Sequence, residues 1–175
     1  MPPTPSWPDI VRTHGPAVWR TIYRLLADED DAAECYQEVF LEALKLSGTQ
    51  KVDNWGGMLT TLAARRGVDR LRQRLARRQL HSTTNDVDAV SHRDRPPSDR
   101  AGEGELAQRL RNALCDLPPN QAEAFWLSTI EELSYAEIAS RLSVTVDHVG
   151  VLLHRARARL RETLGQQLLE ERSHP

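Results

Sequence analysis

The stretch Asp31-Ala32-Ala33-Glu34-Cys35-Tyr36-Gln37-Glu38-Val39-Phe40-Leu41-Glu42-Ala43-Leu44 decides the fold class. Ala32, Cys35, Tyr36, Val39, Phe40, Ala43 and Leu44 recur at i, i+3 and i+4, the period of a helix with one buried side. Asp31, Glu34, Gln37, Glu38 and Glu42 occupy the other side, so the spacing predicts an amphipathic helix with an acidic face.

Working outward, Ile10, Val11, Val18, Ile22, Leu25 and Leu26 predict an earlier helix, entered past Gly15-Pro16 and broken at Asp28 to Asp31. Ser47 to Gly57 reads as a loop containing Trp55. A third helix is expected from about Met58 to Leu80, with Leu59, Leu62, Ala63, Val68, Leu71 and Leu75 buried. On it Arg66, Arg70, Arg74 and Arg78 recur every fourth residue and are expected to line one exposed stripe.

From 81 to 104 the periodicity vanishes into Ser, Thr, Asn, Asp, Arg, Pro and Gly, which predicts a linker between a unit at 1–80 and another at 105–175. In the second unit, Leu106, Leu110, Ala113, Leu114 and Leu117 predict a helix stopped by Pro118-Pro119, with another from about Asn120 to Ile130. Ser134 and Glu137 fit a capping box that opens a short helix through Leu142. Thr145 can cap a last helix whose buried stripe is Val149, Leu152, Leu153, Ala156 and Leu160. With no β-alternation of useful length, the expected class is all-α, two small helical domains in 175 residues.

Charge is segregated. Arg65 to Arg78 and Arg155 to Arg161 are basic, Asp28 to Glu42 and Glu131 to Glu137 acidic, on a chain of formal net charge −2. Two short helices separated by about three residues have helix-turn-helix spacing, with Asp147, Gly150, Val151, His154 and Arg155 pointing outward and Arg157, Arg159 and Arg161 suited to phosphates. A packed helical hairpin with a solvated arginine tail has the same spacing. The Arg65–Arg78 stripe could follow a nucleic-acid backbone with Trp55 offered to unstacked bases, or simply be a solvated face. The acidic helix suits a basic protein partner or solvent.

Cys35 and Cys115 are expected to be buried reduced thiols. The chain has no Gly-rich phosphate loop, GxSxG or HExxH, and its histidines lack ligand spacing, so neither catalysis nor a metal or other cofactor is expected. With neither a signal peptide nor a membrane-spanning run, a cytoplasmic protein with no membrane insertion is expected.

Several segments together resemble a known family. His14-Gly15-Pro16-Ala17-Val18-Trp19 and Asp31 through Leu41 are similar to the first conserved segment of extracytoplasmic-function (ECF) sigma factors, a subfamily of the sigma-70 family. Leu59 to Arg72, with Val68-Asp69-Arg70-Leu71, resembles their promoter −10 segment. Leu117-Pro118-Pro119-Asn120-Gln121, Leu133 to Ala139 and His154 to Leu160 resemble their C-terminal helix-turn-helix. The resemblance implies that Asp31, Glu34, Gln37, Glu38, Phe40 and Leu41 dock on core RNA polymerase. It implies that Asn54, Trp55, Met58, Arg65, Arg66, Arg70 and Arg74 handle the −10 DNA. Thr145, Asp147, His148, Gly150, Val151, His154, Arg155, Arg157 and Arg159 would meet the −35 element, and an anti-sigma factor would be a partner. Family members usually carry a basic or small polar run where this chain has Gly150-Val151-Leu152. The competing readings are a helix-turn-helix regulator using only the second unit, and an anti-sigma-binding decoy that does not initiate. The long linker and the segregated charge also lead us to expect that the two free halves pack together and mask both basic faces.

Overall fold

The computed structural model describes residues 6–83 and 101–172. They form seven helices: α1 Trp7–Leu26, α2 Glu29–Ser47, α3 Trp55–Thr83, α4 Ala101–Cys115, α5 Pro119–Thr129, α6 Tyr135–Leu142 and α7 Val146–Arg172. No strand occurs among the described residues, in keeping with the all-α expectation. The linker expected at 81–104 falls mostly outside the described residues, although α3 continues to Thr83 and α4 already begins at Ala101.

Capping residues set most of the boundaries. Ser6 Oγ accepts the Asp9 N–H at the start of α1, and Asp28 Oδ1 accepts the Asp31 N–H at the start of α2. Between them Ala27 takes a left-handed conformation at φ 50° and donates its N–H to the Tyr23 carbonyl, ending α1. Asn54 Oδ1 accepts the Gly57 N–H at 2.7 Å, so α3 starts three residues earlier than the pattern suggested and takes Trp55, Gly56 and Gly57 into its first turn. The Ser134–Glu137 capping box is formed in both directions, and Ser143 at φ 55° closes α6. Thr145 Oγ1 accepts the His148 N–H at 3.2 Å.

Pro16 does not start a helix as expected; α1 runs through it. Proline removes one rung of the ladder. Here it sits on the exposed side, while Ile10 and Val18 on either side anchor both turns in the core.

The first half buries Val18, Ile22, Leu25, Leu26, Val39, Leu59 and Leu71 among α1, α2 and α3, and the second buries Leu114, Leu127, Ile138, Val149 and Leu153 among α4 to α7. Leu44 and Leu106, expected inside, are 48 % and 65 % exposed. Both lie at the margin of their apolar stripe, where spacing alone does not tell core from rim. α1 and α3 approach closely at Gly67, where an added Cβ would come 2.6 Å from Leu25 Cδ1, and Leu25 is fully buried. The Gly67→Val variant should therefore lose about 1–3 kcal/mol of stability, read as a lower midpoint in a thermal melt followed by far-UV circular dichroism.

Candidate partner and nucleic-acid interfaces

The arginine stripe of α3 faces solvent only in part: Arg66 and Arg78 are exposed as expected, whereas Arg70 and Arg74 are not. It packs against the carboxylates of α2. Arg66 Nε donates to Glu42 Oε2 at 2.6 Å, and Arg74 Nη1 donates to Asp31 Oδ2 at 3.3 Å. The Arg70 guanidinium is hydrogen-bonded to Glu34 and lies 3.8 Å from Asp31 and 3.6 Å from Glu38. The Arg70 and Arg74 side chains are only 19 % exposed. Period four places these arginines on one side of the helix, but the α2–α3 packing decides what that side meets, and there the opposite charges pair.

The outer side of α2 remains open. Glu34, Gln37, Glu38 and Leu41 are exposed and, at spacings of three and four, share one face. Asp31 is half-buried. Phe40, which the resemblance set among the docking residues, is 8 % exposed and in the core, edge-on to Trp7 at 6.3 Å and tilted against Tyr36 at 4.8 Å. It belongs to the apolar stripe by spacing, and burial prevails. Leu44, three residues beyond Leu41, joins the open face, a neighbour that the sequence pattern misassigned to the core.

At the start of α3, Trp55 is half-buried against Trp7, ring centroids 5.5 Å apart, rather than held free in a loop. Asn54, Met58, Thr61 and Arg65 follow one another along a side of α3 away from the carboxylates. They form one wall of a cavity of about 710 Å³, whose opposite wall includes Asn120, Glu123, Arg141 and Leu152 from the second half. The two halves thus pack together, with α3 and the second part of α1 along the seam. Arg72 donates to the carbonyls of Cys115 at 3.3 Å and Leu117 at 2.6 Å. Arg111 reaches the Arg24 carbonyl at 3.4 Å. Glu131 Oε1 accepts from Thr21 Oγ1 at 2.6 Å and from Trp126 Nε1 at 3.3 Å.

Burial pushes the Glu123 carboxyl up to about 7, with Arg65 pulling it down and Asp69 pushing it up from across the seam. Burial likewise lifts the Cys35 thiol to about 12 and the Cys115 thiol to about 11, as inert reduced thiols require.

In the second half, α6 and α7 make the expected helix-turn-helix. Thr145, Asp147, His148, Val151, His154, Arg155 and Arg159 are exposed, while Gly150 and Arg157 are half-buried. A Cβ on Gly150 would meet open space. This face stays uncovered, so packing of the halves does not mask both basic faces as expected; the second half lies beside the Asn54–Arg65 side of α3, where Arg65 itself remains exposed, and the outer face of α7 is left open. Among the described residues no His, Cys, Asp and Glu group could hold a metal, and no helix is long and apolar enough to cross a membrane.

A helical unit with an open acidic and apolar face on α2 is thus joined to a unit whose helix-turn-helix is uncovered. Sequence comparison supplies the class. The profile for Sigma-70 region 2 matches residues 10–79, and that for Sigma-70, region 4 matches residues 107–160. ECF RNA polymerase sigma factor SigE of Mycolicibacterium smegmatis is 32 % identical over 95 % of this chain, which spans 64 % of that relative's length. RNA polymerase sigma factor CarQ of Myxococcus xanthus is 27 % identical over 94 % of this chain and 92 % of the relative. The solved sigma factor RpoE from Bartonella quintana, crystallised with the anti-sigma factor NepR, has the same fold at TM-score 0.52 and 21 % identity, covering 89 % of this chain and 94 % of that one. The chain belongs to the ECF subfamily of the sigma-70 family of RNA polymerase sigma factors.

Glu123 also gives a pH signature. Its carboxyl binds a proton more tightly in the compact state than in the unfolded chain, so its unfavourable contribution grows as pH rises from about 4.5 through about 7 and is complete above. The Glu123→Gln variant should raise the thermal midpoint at pH 8, and the gain should shrink toward zero near pH 4. Equal gains at both pH values would contradict this account.

Proposed function

We propose that this chain directs core RNA polymerase to a set of promoters and assists their opening, without catalytic chemistry or a cofactor of its own. The observation carrying this reading is the open Glu34–Gln37–Glu38–Leu41 face in the region-2 half of a chain whose other half keeps an uncovered recognition helix. The exposed carboxylates, with Asp31 at the edge, suit a basic element of the polymerase clamp, and Leu41 and Leu44 add apolar area at the contact. Phe40 supports this face from beneath.

For the −10 element the best-placed groups are Asn54, Met58 and Arg65, with Trp55 offering its outer ring face and Arg66 its half-exposed guanidinium. Arg70 and Arg74 are committed to α2. Of the −10 groups, Asn54, Met58 and Arg65 line the cavity between the halves, so the second half stands beside the path that DNA would take. On α7, His154 and Arg155 suit base edges, Val151 suits a thymine methyl, and Arg157 and Arg159 suit the backbone, with Thr145, Asp147, His148 and Gly150 framing the entry. Units at 1–80 and 105–175 joined by 81–104 match this division of labour. A cytoplasmic site of action follows from the substrate, and the Bartonella quintana complex supports an anti-sigma factor as a further partner.

In a pull-down with bacterial core RNA polymerase, the intact chain should bind and the Glu34→Arg/Glu38→Arg double variant should not. The Phe40→Ala variant should instead lower stability by about 3–5 kcal/mol, read by thermal melting. Absence of binding by the intact chain would leave only a DNA-binding regulator.

On promoter DNA, Arg159→Ala in the holoenzyme should weaken binding to all sequences alike and lower the salt-dependence slope by roughly one, while Arg155→Ala should relax preference at one −35 position. Filter binding across a salt series and a randomised −35 library separates the two.

A further inference from the structure

We propose that Arg70 is a positioning residue for polymerase docking, fixing the acidic face of α2 from beneath, and that it does not touch promoter DNA. This rests on the reading of α2 as the polymerase-docking helix.

Asp31, Glu34, Glu38 and Glu42 stand at spacings of three, four and four, so each carboxylate has a like-charged neighbour on its own helix face. Unopposed, they would splay to increase their separation. Three arginines of α3 oppose them from one side. Arg66 takes Glu42, Arg74 takes Asp31, and Arg70 lies among Asp31, Glu34 and Glu38. Of these three arginines, Arg70 is the one within ion-pair distance of three carboxylates.

The exposures show the direction of this arrangement. Arg70 is 19 % exposed, while Glu34 and Glu38 keep 69 % and 51 % of their side-chain surface open. The guanidinium is beneath and the carboxylates reach past it into solvent. Its Nη1 is buried without a hydrogen-bond partner, 3.6 Å from Glu38, and so is held by charge rather than by a completed bond. A phosphate could not reach Arg70 without displacing those carboxylates, each of which would repel it.

An array of carboxylates already set in place meets a basic partner without first having to be ordered, which is the benefit of preorganisation. A planar guanidinium can fork toward several carboxylates, whereas an ammonium acts as a point charge. Geometry and charge are therefore separable at this position.

The test uses the full chain with core RNA polymerase, comparing wild type, Arg70→Gln and Arg70→Lys. Affinity for core is measured by fluorescence anisotropy, folding by thermal melting, and promoter opening by permanganate reactivity at saturating core. Both variants should bind core about tenfold more weakly, the size expected when two or three side chains must be ordered on binding. Opening at saturating core should equal wild type. Arg70→Lys keeps the charge, so it remains informative should Arg70→Gln fail to fold. Wild-type affinity in Arg70→Lys, tighter binding in Arg70→Gln, or reduced opening at saturating core would each overturn the proposal. Failure of the wild type to bind core would overturn the docking reading together with it.

Discussion

The helix α3 has cationic groups on two sides, and each side is met by a different element. Toward α2, Arg66, Arg70 and Arg74 meet carboxylates; toward the second half, Arg65 and Arg72 meet Glu123 and the carbonyls that follow α4. Exposed ion pairs contribute about 0–1 kcal/mol, too little to hold a fold. The pairs at Arg70 and Arg74 are more sheltered, and removing one partner of a sheltered pair costs far more than the pair contributes. Their effect is accordingly on register. Fully buried Leu59, Leu71, Leu25 and Val39 supply the stability, and the charges determine which side of α3 lies against α2.

That register has a consequence for the second half. With the Arg66–Arg70–Arg74 side taken, the side running from Asn54 through Met58 and Arg65 to Arg72 is the one left to contact something else. In the compact state α5 and the turn before it provide that contact. The polar part of the seam consists of a few hydrogen bonds, each contributing about 1 kcal/mol net, and it buries a carboxylate that burial disfavours. Under the proposed function, polymerase and DNA would shift this seam only through contacts they make better with the halves apart.

Much of this was legible in the sequence. The period of Ala32–Ala43, the Ser134–Glu137 box and the Thr145 cap are local, and local patterns fix helix ends and buried stripes. The misreadings share a cause, in that they concern which neighbour a residue meets. Arg70 every fourth residue from Arg66 says that the two share a side, and nothing in the spacing says that α2 will lie against it. Phe40 lies in the apolar stripe, yet the resemblance suggested a surface role. Leu44 sits where the stripe grades into the rim. The early start of α3 turned on Asn54, whose capping role was hidden because the two glycines that follow it read as loop.

The recognition helix shows what the arrangement must supply elsewhere. Where a polar run would read bases, this chain presents Gly150 and Val151, with His154 and Arg155 the polar groups that follow them on the exposed side. A good bidentate contact contributes about 1–3 kcal/mol of discrimination, so one or two readers cannot select a site by themselves. Under the proposed function, selectivity would then come from joining this contact to the one at Asn54, Met58 and Arg65. Two weak contacts fixed on one polymerase act at high effective concentration, so the second is made almost within the molecule. On that reading, a chain with a reduced −35 reader would depend on its docking face more than one with a full reader, because that face is what would make both contacts simultaneous.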